Sequence, residues 1–103
     1  MIQILIYVNE DKKAEDLLIQ LLNQQLIAKG TLDKHNRAFY MEAGKVKEEI
    51  RTVVTVQTRA TLFSTIEQQV VQFLGQSVPI YSLPITQANS EFANFIRFNT
   101  LTK

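Results

Sequence analysis

Ile2, Ile4, Ile6 and Val8 fall at every second position, and a few residues later the apolar side chains fall at every third or fourth position instead. That switch of period, from two to about 3.6, narrows the fold more than any other feature of the chain. It happens twice. The run "IQILIYV" (2–8) is rich in β-branched residues, and Leu5 and Tyr7 make its second face partly apolar, so it reads as a central strand. "NEDKKAED" supplies polar loop residues and acids near a helix start, where the dipole favours them. Ala14, Leu17, Leu18, Leu21, Leu22 and Leu26 then mark a helix over about 14–28, with Gly30 as its stop. Residues 31–58 read as a hairpin: "RAFYM" and "IRTVVTVQT" are strand-like, and "EAGKVKEE" places the turn at Ala43-Gly44-Lys45. A second helix is predicted over 60–74, with Leu62, Phe63, Ile66, Val70, Phe73 and Leu74 facing inward and "GQS" breaking it. "VPIYSLPIT" is extended, and Pro79 and Pro84 suit an edge strand. "NSEFANFIRFNT" (89–100) follows as a short helix, with Phe92, Phe95 and Ile96 on one stripe and Phe98 beside it.

The order β-α-β-β-α-β plus a C-terminal helix specifies an α+β, ferredoxin-like sandwich. At 103 residues the expectation is a single domain over 1–103. In such a sandwich the helices cover one sheet face only. Leu5, Tyr7, Val53 and Thr55 fall on the other, too apolar for plain solvent exposure, and the aromatic tail is too short to cover them alone. An apolar sheet face beside an aromatic helix predicts self-association.

Composition removes several functions. Eleven Lys and Arg against ten acids give a net charge of +1, so neither nucleic acid nor an anionic membrane surface is indicated as a partner. Without cysteine there is no disulfide, thiolate nucleophile or Cys-based metal site. No apolar run is long enough to cross a bilayer, and "MIQILIYVNEDKK" lacks the basic region and small-residue cleavage site of a leader, so a cytoplasmic location is expected. The serines have no nucleophile context, and three glycines leave little material for a phosphate loop.

What chemistry remains is sparse. His35, the sole histidine, sits in the polar stretch "LDKHNR", where a solvated loop residue is the plainer reading; three copies meeting on a symmetry axis would make it a metal ligand. Glu42 and Glu48 flank the hairpin turn and are expected to approach each other across it; with Glu49 and Asp33 they are the carboxylates open to a hard cation, against the plainer reading of a charged tip interleaved with Lys45 and Lys47. Tyr40, Tyr81 and Phe39 are candidates for interface packing or for lining a cleft between subunits.

Six segments, in order, resemble the CutA family of divalent-cation tolerance proteins. "NEDKKAEDLL" is similar to that family's P-[DE]-x-x-x-A-x-x-L, with Asn9 at the Pro and with Glu10, Ala14 and Leu17 matching. "LIAKGTL" resembles L-A-A-C-V-N, "EAGKVKEE" resembles W-x-G-K-[IL] with Gly44 and Lys45 kept, and "VTVQTR" resembles the strand ending I-K-T-T. "VPIYSLPI" keeps Val78, Pro79, Leu83, Pro84 and Ile85 of V-P-E-I-x-x-L-P-[IV], and "NSEFANFI" is similar to [NS]-x-x-Y-x-x-W-[IL], with Phe92 and Phe95 at the aromatic positions. The resemblance implies a tight homotrimer in which the long hairpin and the C-terminal segment touch neighbouring subunits. Tyr40, Gly44, Lys45, Tyr81, Pro84, Phe92 and Phe95 are then the interface or cleft candidates. It also implies a non-enzymatic role in divalent metal ion tolerance, with no certain cofactor and a divalent metal ion as the one candidate.

The departures bear on that role. The family Trp falls on Glu42 and the Cys of A-A-C-V-N on Lys29. The candidate copper positions of some bacterial members fall on Ile6, Phe73 and Leu74, none able to bind a metal, so copper binding through them is predicted against. Two rival readings remain: a sensor resembling the PII-type trimers, binding a small effector in clefts between subunits, and an enzyme using His35 or an acidic pair as base.

Overall fold

The computed structural model of the chain describes residues 1–102. Its elements are β1 (Ile2–Val8), α1 (Asp11–Asn23), β2 (Lys29–Glu42), β3 (Lys45–Thr58), α2 (Phe63–Leu74, entered through a 3-10 turn at Ala60–Leu62), β4 (Ile80–Pro84) and α3 (Ser90–Phe98). The strands form one antiparallel sheet in the order β2-β3-β1-β4, with β1 inside and β4 at an edge, as the two readings of "IQILIYV" and "VPIYSLPIT" required. This is the ferredoxin-like arrangement.

Register explains the core. Ile4 faces Val56 and Ile6 faces Val54 across the β1–β3 ladder, so period-two alternation turns all four toward one side. There they meet Ala14, Leu17 and Leu21 of α1 and Ile66 and Val70 of α2 in one buried cluster. Each fully buried Leu or Ile contributes roughly 1.5–3 kcal/mol. Thr52 donates a hydrogen bond to Asp11, fastening the start of α1 to β3.

One sequence expectation needs correction here. The first helix spans Asp11–Asn23, not 14–28, and Gly30 does not stop it. Gln25 takes the left-handed conformation (φ 59°) instead, Leu26 N–H donates to the Leu21 carbonyl, and Gln25 N–H donates to the Leu22 carbonyl. That pair of bonds is a Schellman close with glutamine at the position glycine usually takes. Gly30 lies within β2, where a Cβ would collide with Leu18 of α1; its job is to let helix and strand approach. "GQS" does end α2, with Gly75 at φ 74°.

Among the described residues no helix packs on the other sheet face, as expected, but its own side chains screen part of it. Val53 is buried, and the Arg51 guanidinium lies 3.6 Å above the Tyr7 ring. Tyr81 meets Tyr7 edge-on at 5.9 Å, with their hydroxyls 2.7 Å apart. Asn36 holds Arg51 by accepting from its Nε at 3.2 Å, and itself donates to Asp33. A cation and a ring shield part of this face, while Tyr81 and Leu83 stay exposed on it.

Candidate functional site

β1 pairs with β3 only from Thr52 to Thr58, whereas β3 begins at Lys45. Residues 36–42 and 45–51 therefore run on beyond the sheet as a two-stranded arm, about 24 Å long at the usual strand rise. It accounts for the elongated shape, 45 × 28 × 21 Å. Ala43 and Gly44 turn the arm, both at positive φ (51° and 75°), the backbone of a tight two-residue hairpin.

The arm's two faces differ. Pairing of Arg37 with Ile50, Phe39 with Glu48 and Met41 with Val46 puts four large apolar side chains on one face. All four are well exposed: Phe39 59%, Met41 65%, Val46 69% and Ile50 60%. Arg37 binds Glu48 at 2.5 Å and lies 5.2 Å from the centre of the Phe39 ring. The opposite face carries Ala38, Tyr40, Glu42, Lys45, Lys47 and Glu49. Two strands alone in water are marginal at best, so an arm with this stripe requires a surface to lie on.

The sequence-predicted site residues separate on this frame. Glu42 pairs with Lys45 on the polar face and Glu48 with Phe39 on the apolar face, so the two carboxylates point to opposite sides and do not approach across the turn. The parity of strand positions decides this: 42 and 48 lie on different strands, and the register 42↔45 makes them opposite in phase. His35 sits in the bulge between Asp33 and Asn36, exposed and left-handed at φ 59°. Among the described residues, no three His, Cys, Asp or Glu side chains are grouped to hold a metal ion. Within one chain the donors do not fit a copper or zinc site, which takes three or four ligands of that kind. Ile6 is fully buried, and Phe73 and Leu74 pack against the core.

Tyr40 and Lys45 lie on the arm's polar face, Gly44 in its turn, Tyr81 over Tyr7, and Pro84 at the end of the edge strand. The Tyr81 hydroxyl is held above its usual ionisation range, first by its bond to Tyr7 and then by burial. In α3, Ile96 is the residue driven inside, at 1% exposure, whereas Phe95 and Phe98 remain at 41% and 77%. Phe92 and Phe95 instead line a groove with Lys29, Asn89 and Glu91. Asn89 caps α3 by accepting from Phe92 N–H at 2.8 Å.

Sequence reasoning missed the apolar stripe of the arm, because "KVKEEI" and "HNRAFYM" read as charged and mixed until the register sorts them by face. It also missed Arg59. That side chain donates from Nε to Thr100 Oγ1 at 2.9 Å and from Nη2 to the Arg97 carbonyl at 2.5 Å, bracing the C-terminal segment against the end of β3. A signal existed: apart from Lys103, Arg59 and Arg97 are the only basic residues without an acid within four positions.

Residues 2–99 match the family model described as CutA1 divalent ion tolerance protein. The chain is 27% identical over 86 residues to the divalent-cation tolerance protein CutA of Pyrococcus horikoshii, covering 82% of this chain and 83% of that one. Among solved structures it is similar to CutA1 from Oryza sativa, with a TM-score of 0.90, 17% identity and coverage of 99% of this chain and 94% of that chain. It is likewise similar to a protein from Archaeoglobus fulgidus described as a periplasmic divalent cation tolerance protein CutA, with a TM-score of 0.86, 23% identity and coverage of 96% and 98%.

Proposed function

Because the chain belongs to the CutA1 divalent ion tolerance family, we propose that it acts in divalent-ion tolerance as a one-domain, non-enzymatic subunit of a homotrimer. The observation that supports assembly is the arm, whose four exposed apolar side chains share one face. Its interface would comprise Tyr40, Gly44, Lys45, Tyr81, Pro84, Phe92 and Phe95 together with Phe39, and the exposure of Met41, Val46 and Ile50 on the same face as Phe39 supports including them. A closed ring of three buries three such arms at once.

Any ion met through His35, Glu42 or Glu48 would have to be shared between subunits, since those side chains occupy separate places on one chain. The family match favours ion tolerance over effector sensing. We place the protein in the cytoplasm, and cell fractionation that found it in the periplasm would overturn that placement.

Disruption of the gene in its host tests the role. Growth should become more sensitive to copper or zinc salts, and the parent sequence should restore it while Ile50→Lys does not. Unchanged sensitivity to both metals would contradict the reading.

A further inference from the structure

Arg59 and Arg97 line a cavity of about 490 Å³ at the far end of β3 from the arm, together with Met1, Ala60, Thr61, Ala93 and Ile96. Among the described residues no carboxylate lines it and neither arginine lies in an ion pair, whereas Arg37 and Arg51 both do. Arg59 is half-buried and fixed by Thr100 and the Arg97 carbonyl, and its Nη1 has no hydrogen-bond partner among the described residues. Arg97 is anchored through Nη1 to Asn94 at 3.0 Å, and its Nε and Nη2 donors are open among the described residues. Each guanidinium is held by neutral oxygens and keeps donors to spare, the kind of fork that pairs with an oxyanion. Thr61 adds an exposed hydroxyl, and Met1, Ala60, Ala93 and Ile96 supply an apolar wall.

The geometry points to a binding site for a small organic oxyanion, a carboxylate or phosphate monoester carrying an apolar body. The arginines hold the anionic head and the wall takes the body. The site stands apart from the arm and does not depend on the divalent-ion reading.

Calorimetric titration of the full chain at fixed ionic strength, with phenyl phosphate, benzoate and inorganic phosphate as probes, tests this. At least one of the two organic probes should bind saturably at one per chain, and which of them does identifies the head group. Arg59 also braces α3, so the test variant is Arg97→Ala, which removes donors from an exposed position; it should weaken binding by about tenfold or more. Lys34→Ala, on the distant bulge, should leave binding unchanged. The inference is overturned if neither organic probe saturates by about 10 mM, a range that already corresponds to negligible affinity. It is equally overturned if Arg97→Ala binds as the parent does, or if inorganic phosphate binds as tightly as phenyl phosphate.

Discussion

At Gly30 a methyl group would collide with Cδ1 of Leu18 and crowd Val56 Cγ1 at 3.2 Å. Gly30→Ala should therefore destabilise the fold by about 1–3 kcal/mol through overpacking, read as a lowered urea midpoint. Gly30→Ala combined with Leu18→Ala should lose less than the sum of the two single losses, because the two sites share one contact; a Gly30→Ala midpoint equal to the parent's would contradict this packing. A second residue-scale effect concerns ionisation. The Tyr7 hydroxyl raises the Tyr81 ionisation range by hydrogen bonding to it, so Tyr7→Phe should let Tyr81 lose its proton at lower pH than in the parent. Ultraviolet titration of tyrosinate in the two proteins checks the sign, and identical curves would sink it. At this scale the sequence shows that Gly30 matters without showing why. A glycine after a helical pattern reads as a stop, but Gln25 took the left-handed position that glycine normally fills, and nothing in a glutamine side chain signals that.

Elements were more legible than residues. Strand and helix order followed from two changes of period, and Pro79 and Pro84 correctly placed β4 at the edge, where a missing N–H costs no ladder bond. Hidden from the sequence was how far β2 and β3 outrun β1, because strand length beyond the sheet leaves no periodic mark. It is this overhang that creates the arm and sorts Phe39, Met41, Val46 and Ile50 onto one face. The expected meeting of Glu42 and Glu48 failed for the same reason, since face assignment requires the register. Ile50→Lys places a charge in the middle of the stripe and should disperse the assembly while the Ile4, Ile6, Val54 and Val56 core stays folded. Size-exclusion light scattering with far-ultraviolet circular dichroism separates the two effects; an unchanged assembly mass would show that the arm does not pack on another copy.

On the scale of the whole molecule, one chain buries its helix-side core but leaves much of its arm and α3 apolar surface in water. Arg51 over Tyr7, and Tyr7 against Tyr81, partly cover the sheet's second face, but Tyr81 and Leu83 stay exposed there, so the face and the arm both offer apolar surface to a partner. Composition alone already pointed to self-association, through the odd-numbered strand residues and the phenylalanines near the end. It did not point to the arm, because the arm's stripe is dispersed among charges along the sequence. The measurement that bears most directly on a family-type assembly is native mass spectrometry of metal-free protein at micromolar concentration. The account predicts a dominant species of three copies of the 11.8 kDa chain. A monomer as the main species would contradict it.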